Sequence, residues 1–227
     1  MKENKNIKAC IFDLDGTLLN TLESIKYYLN KTLSLYGFKT VSSEETKEFV
    51  GKGARNLITS ALLAAGFSFD SEEAKKSFEE IYLHYVRSYD REPFYLTEPY
   101  EGIKDIIAFL KDRGIKIAIV SNKPDETVRQ LALMNFGDVF DEVRGGRENV
   151  PLKPNPTVLY DVCKCMGVLP SQTAYFGDMG IDMQTAKNYG AALAVGVLWG
   201  FRGQEELLRS GADLVVRSPF EIEKIFE

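Results

Sequence analysis

Histidine is nearly missing from this chain: His84 stands alone among 227 residues. A Ser-His-Asp triad would have to use it as the base, and no nucleophile-elbow sequence accompanies it. Cysteine is scarce as well, at three residues, Cys10, Cys163 and Cys165. An odd number with no framework spacing points to reduced thiols in a cytoplasmic protein. Cys163 and Cys165 would face different directions on a helix, and a metal site would want more Cys or His beside them. Positive charge is in deficit, with 28 Lys and Arg against 33 Asp and Glu and a net charge of −5. Nucleic acid and anionic membrane surfaces both need a basic face, so neither is expected as a partner. No apolar run is long enough to span a bilayer. The polar start, Met1 to Asn6, does not read as a signal peptide. Internal repeats and low-complexity segments are absent too.

What is present is alternation. Ile7 to Phe12 is a short apolar run ending in acids, the pattern of a buried parallel strand. Ile115 to Val120 repeats it and ends at Ser121-Asn122. Thr173 to Phe176 ends at Gly177-Asp178, Ala191 to Val197 is a fourth run, and Asp213 to Val216 a weaker fifth. Helical patterns lie between them at Gly102–Arg113, Asp125–Asn135, Pro156–Met166 and Asp182–Tyr189. Gly114, Gly167 and Gly190 stand where helices stop. Strand–helix alternation of this kind predicts an α/β fold, a Rossmann-like parallel sheet with helices on both faces. One stretch departs from it. From about Thr21 to Tyr89 only helical spacing recurs, as in Leu22, Ile25, Leu29 and Leu33, and again in Phe78, Ile81, Tyr82 and Tyr85. The expected organisation is a core of residues 1–19 and 92–227, with a small α-helical insertion at 20–91 after the first strand. Pro93 marks the return to the core.

Ligands of an open parallel sheet bind beyond the carboxyl ends of its strands. Asp13 and Asp15 follow the first strand, Ser121 the second, and Asp178 with Asp182 the third, while Lys153 lies in the loop before the Pro156 helix. Each has a plain structural reading: Asp15-Gly16 as a turn, Ser121-Asn122 or Asp182 as a helix cap, Lys153 as a solvated lysine. Their coincidence in this order is harder to explain that way. Phosphoryl transfer needs a nucleophile, charge neutralisation at the phosphoryl oxygens and a proton for the leaving oxygen. A carboxylate can be that nucleophile, and a hard cation such as Mg²⁺ can bridge it to a phosphate. Asp13 and Asp178 can supply the cage, with Asp182 one turn further on, Lys153 a positive charge, and Ser121 a hydrogen bond.

Asp13-Leu14-Asp15-Gly16-Thr17-Leu18 resembles the first signature of the haloacid-dehalogenase-like phosphohydrolases. Ser121, Lys153-Pro154 and Gly177-Asp178-Met179-Gly180-Ile181-Asp182 resemble the other three, in order. The resemblance implies Asp13 as nucleophile and Asp15 as general acid/base. It also implies Mg²⁺ held by Asp13, the Asp15 backbone carbonyl and Asp178, with Asp182 supporting the site. Thr17 and Asn122 adjoin these motifs and are taken as substrate contacts. Members that dehalogenate lack a carboxylate at the position of Asp15, which favours phosphate chemistry. The helical insertion resembles an α-helical cap. Within it, Val50-Gly51-Lys52-Gly53-Ala54-Arg55 is similar to the substrate-facing turn of phosphoglycolate phosphatases, which would make Gly51, Lys52 and Arg55 substrate contacts. An ordinary interhelical loop is the alternative reading of that turn.

The expected activity is Mg²⁺-dependent hydrolysis of a small phosphomonoester, with 2-phosphoglycolate as leading substrate. A mutase of the β-phosphoglucomutase type and an inorganic pyrophosphatase are the alternatives. The expected partner is a small phosphorylated metabolite, for a chain that is monomer or homodimer.

Overall fold

Ala9-Cys10-Ile11-Phe12 has no polar side chain, and as strand β1 (Ala9–Phe12) it is buried along its whole length. The computed structural model describes residues 6–227, so most of the polar start read as no signal peptide (residues 1–5) lies outside the described residues. After β1 come a two-residue strand β2 (Leu19–Asn20) and four helices, α1 (Leu22–Leu35), α2 (Ser43–Phe49), α3 (Ala54–Ala64) and α4 (Glu72–Arg91). Alternation then resumes with β3 (Glu98–Pro99), α5 (Ile103–Asp112), β4 (Lys116–Pro124), α6 (Asp125–Phe136), β5 (Glu142–Gly146) and α7 (Thr157–Met166). It continues with β6 (Thr173–Gly177), α8 (Gly180–Tyr189), β7 (Leu193–Val197), α9 (Gln204–Arg209) and β8 (Leu214–Val216).

Six strands form one parallel sheet in the order β5-β4-β1-β6-β7-β8. Successive strand residues point to opposite faces, and the core divides accordingly. Cys10, Phe12, Ile117, Ile119, Ala174, Phe176, Val195 and Val197 pack on one side with Ile103, Ile106 and Leu110 of α5 and Leu131 of α6. Ala9, Ile11, Ala118, Val120, Tyr175 and Ala194 pack on the other with Leu159 and Val162 of α7, Met183 of α8 and Leu207 of α9. Strands apolar on both faces are what a sheet covered on both sides requires. Phe12 and Phe176 stand opposite each other in the β1–β6 register and stack at 4.7 Å between ring centres. The short pair β2–β3 is antiparallel and separate from this sheet.

The chain divides into two compact units. One holds the chain up to Asn20 and Glu98–Glu227; the other is Thr21–Thr97. In the second unit Leu29 and Leu33 of α1, Ile58 and Leu62 of α3, and Phe78 and Ile81 of α4 are buried. Helix α2 begins with a capping box, Ser42 accepting from Glu45 N–H and the Glu45 carboxylate accepting from Ser42 N–H, and Ser71 caps α4. Residues 92–97 stay with the helices: the Tyr28 hydroxyl donates to Glu92 O at 3.1 Å, and the Tyr27 and Tyr95 rings meet at 4.9 Å. No helix among the described residues is long and apolar enough to cross a membrane.

Candidate active site

From β1 the chain builds outward through β4 to β5, then crosses back to place β6 on the other side of β1. Such a switch in strand order leaves a crevice at the carboxyl ends of the strands involved. Asp13 follows β1 directly and extends its pairing, its N–H donating to Phe176 O at 2.9 Å. Asp178 follows β6, Ser121 lies in the last part of β4, Lys153 in the loop between β5 and α7, and Asp182 in the first turn of α8. Residues more than 160 positions apart are thus neighbours because three adjacent parallel strands end together.

Lys153 is the cation at the centre. Its Nζ is 2.6 Å from Asp182 Oδ1 and 2.9 Å from Asp13 Oδ1, and all three side chains are buried. Among the described residues this ammonium is the ion-pair partner of buried Asp13 Oδ1, which makes no hydrogen bond of good geometry. Asp182 uses its other oxygen to accept from Met179 N–H at 3.0 Å, which fixes it at the start of α8. Asp178 Oδ1 accepts from the Thr17 hydroxyl at 3.1 Å and Oδ2 from Phe201 N–H at 2.8 Å. Asn122 clamps the Lys153 backbone, accepting from its N–H at 2.8 Å and donating to its carbonyl at 3.4 Å. This explains how a loop lysine points into the sheet.

Like charge is concentrated here. One oxygen from each of Asp13, Asp178 and Asp182 lies within 4.8 Å of the others. Burial pushes the Asp13 carboxyl up to about 7; Lys153 opposes the rise, while Asp182 and Asp15 add to it. Burial also drives Asp178 well above the carboxylate range, helped by Asp182 and Asp13 and resisted by Phe201 N–H and the Thr17 hydroxyl. Burial works against charge on Lys153, but Asp13 and Asp182 outweigh it and hold the ammonium well above its ordinary value. With all three carboxylates ionised, one ammonium would leave an excess of two negative charges. An oxygen-only donor set with that excess, including one oxygen lacking a hydrogen bond, fits a hard divalent cation. Asp13 and Asp178 have lone pairs to give it. Asp182, whose Oδ1 lies 2.6 Å from Lys153 Nζ, is better placed to orient Lys153.

The remaining expected residues are distributed as follows. Ser121 is buried in the last part of β4, and its hydroxyl accepts from Lys123 N–H at 3.3 Å. The Asp15 carboxylate is paired with Lys123, at 3.1 and 3.2 Å from its two oxygens. Thr17 and Asn122, expected as substrate contacts, direct their polar atoms to Asp178 and to the Lys153 backbone. Gly51, Lys52 and Arg55 belong to the helical unit, in and just after the α2–α3 turn. There Arg55 makes a two-pronged pair with Glu79, at 2.5 and 3.0 Å, and lies over the Tyr82 ring at 4.3 Å. Two partnerships were not foreseen: Lys123 with Asp15, and the Val197–Phe201 loop with the first motif. Trp199 Nε1 donates to Thr17 O at 2.9 Å while Phe201 N–H holds Asp178.

Comparison with known proteins agrees with this fold. Phosphoglycolate phosphatase of Aquifex aeolicus (strain VF5) is 30% identical over 197 residues, covering 86% of each chain. The enzyme of the same name from Haemophilus influenzae (strain 86-028NP) is 30% identical over 93% of this chain and 95% of its own. A crystal structure from Lactobacillus delbrueckii subsp. bulgaricus, provisionally described as a phosphoglycolate phosphatase, superposes with a TM-score of 0.89 at 30% identity, covering 97% of this chain and 98% of that one. The profile of the haloacid dehalogenase-like hydrolases matches residues 10–195. That span takes in the three strand ends, Lys153 and the acid cluster, and the chain belongs to this family.

Proposed function

We propose that the protein is a Mg²⁺-dependent phosphatase of small phosphomonoesters, with 2-phosphoglycolate as the first substrate to test, acting in the cytoplasm. The observation that carries this reading is Asp13, a buried carboxylate at a sheet switch point, contacted by Lys153 and flanked by Asp178. Asp13 and Asp178 would hold the ion, with Asp182 in support. When bound, Mg²⁺ supplies the positive charge that lets a carboxylate and a phosphate dianion approach. Asp13 attacks phosphorus; the bond to the ester oxygen breaks, and Asp15 delivers a proton to that oxygen as the alcohol leaves. Asp15, now a carboxylate, takes a proton from water as the water oxygen attacks the phosphorus of the Asp13 acyl phosphate. Inorganic phosphate departs and both carboxyl groups return to their starting states. Lys153 balances the charge on Asp13 and the phosphoryl oxygens, and Ser121 donates to one of those oxygens. The helical unit is read as the cap that the family resemblance implies, and the Gly51–Arg55 turn as its contribution to substrate choice.

Phosphate release from a panel of phosphomonoesters and pyrophosphate, with Mg²⁺ and then with a chelator, tests this. Wild type should turn over at least one monoester only with the metal present. Asp13→Asn should lose at least ~10³-fold in kcat, the order expected when a nucleophile is removed. A silent panel, or an active Asn variant, would defeat the proposal.

A further inference from the structure

Strand β4 does not stop at Ser121, where the apolar run ends, but continues to Pro124. Its pairing with β5 is regular from Ala118 to Val120 and then shifts register before Pro124 pairs with Gly146. A shift of this kind bends a strand and re-aims its side chains, and such irregularities are common beside active sites. Here it coincides with Lys123, whose ammonium reaches across to the loop after β1 and meets both oxygens of Asp15, at 3.1 and 3.2 Å. The Lys123 side chain is only 7% exposed and that of Asp15 19%. Bulk water and salt screen such a pair weakly, and a lysine this buried is rare without a charged partner.

Local sequence makes room for this placement. A Cβ on Gly145 would lie 2.6 Å from Lys123 O and 2.5 Å from Asp125 Cα, and one on Gly146 would lie 3.1 Å from Asn122 O. The two glycines of β5 therefore permit β4 to carry its irregular end so close. On the other side of the pair, Asp15 is followed by Gly16 at φ +80, a backbone position without a side chain to confine its neighbour. Among the described residues, Lys123 is the only hydrogen-bond or ion-pair partner recorded for the Asp15 carboxylate.

We propose that Lys123 is a positioning residue that holds the Asp15 carboxylate in place for proton transfer, with Gly145 and Gly146 providing the space that lets it do so. This rests on the phosphatase reading above, in which Asp15 serves both half-reactions. Proton transfer needs the acid within hydrogen-bond reach of the moving proton, and small misplacements of a catalytic group cost up to about 100-fold in rate. A lysine that instead gripped the substrate's own anionic group would influence KM.

The test uses the full chain with Mg²⁺, reading kcat and KM for p-nitrophenyl phosphate and for one alkyl phosphomonoester from the panel. Lys123→Met should lower kcat about 10- to 100-fold with KM within about twofold of wild type. Lys123→Arg should recover part of the loss, and Gly145→Ala should share its direction. Asp15→Asn carries the decisive comparison: adding Lys123→Met to it should cost nothing more, because the group being positioned is already gone. If Lys123→Met fails to fold, Lys123→Gln replaces it in the same comparison. Three results overturn the inference while the phosphatase reading survives: kcat within twofold of wild type in the Met variant, a rise in KM at constant kcat, or an undiminished loss in the Asp15→Asn background. A wild-type enzyme that releases no phosphate overturns both.

Discussion

The place where a side chain would begin on Gly16 is occupied by the Asp178 carboxylate. Only glycine allows the first motif to lie against the third strand's acid while holding φ at +80. Thr17 follows with no exposed surface, its hydroxyl on Asp178 and its carbonyl under the Trp199 indole. Its role is therefore legible from its partner: it orients a candidate metal ligand. Thr17→Val keeps the shape and removes the donor. Loss of such a supporting hydrogen bond should weaken Mg²⁺ binding about 10- to 100-fold, read as a shift in the Mg²⁺ concentration giving half-maximal activity, with kcat at saturating Mg²⁺ little changed. A raised substrate KM with unaltered Mg²⁺ dependence would instead return Thr17 to the role of substrate contact. At this scale the acids and Lys153 were readable in sequence because each belongs to a short motif, in a strand-end turn or in the loop before a helix. Lys123 was not, since its partner is 108 residues away and only the β1–β4 pairing brings them together. The grip of Phe201 N–H on Asp178 was hidden for a further reason: a backbone donor leaves no mark in the residue type.

Elements were readable in proportion to their burial. Strands β1, β4, β6 and β7 are flanked on both sides in the sheet, and their apolar runs announce them. Strand β5 is an edge strand, Glu142-Val143-Arg144-Gly145-Gly146, with charge and glycine where a central strand would carry Val or Ile. Apart from Val143, nothing in that composition favours a strand; β4 imposes it. Helix α9, only six residues long, is too short for a periodic pattern to stand out. What locks β5 to the adjoining helix is Asp125, at the start of α6, which accepts from Gly145 N–H at 2.7 Å and from Arg129 Nε at 2.8 Å. Burial alone would raise the Asp125 carboxyl, but these donors outweigh it and hold it below its ordinary value of 3.8. A folded-state value lower than the unfolded one means stability that is complete above the unfolded value and lost as pH falls through the folded one. Wild type should therefore lose this contribution below about pH 4. Asp125→Ala should be less stable at pH 7 by about 1–2 kcal/mol, and the gap to wild type should close towards pH 2. Denaturant melts of both proteins at several pH values measure it, and a gap independent of pH would remove Asp125 as the linked group.

Folding the whole chain gathers acids that are far apart in the unfolded protein. Asp13 meets Asp178 and Asp182 only when β1 and β6 pair and α8 docks, and a single ammonium then faces three carboxyl groups. A ligand that binds the folded state alone stabilises it by RT ln(1 + [L]/Kd). At a Mg²⁺ concentration 100 times Kd this is about 2.7 kcal/mol. For a chain of this size each kcal/mol moves the melting temperature by roughly 2–4 °C, so Mg²⁺ should raise Tm by roughly 5–10 °C over the chelated protein. Asp178→Asn separates attraction from repulsion. Without the cation, removing one buried like charge should leave Tm equal to or above that of chelated wild type. With the cation, the rise should largely vanish, because a carboxylate ligand has been lost. Thermal melts of the two proteins in chelator and in Mg²⁺ decide the matter. An unmoved wild-type Tm, or an equal rise in the Asn variant, would mean that the cluster holds its charges by protonation and by Lys153 without calling on a metal.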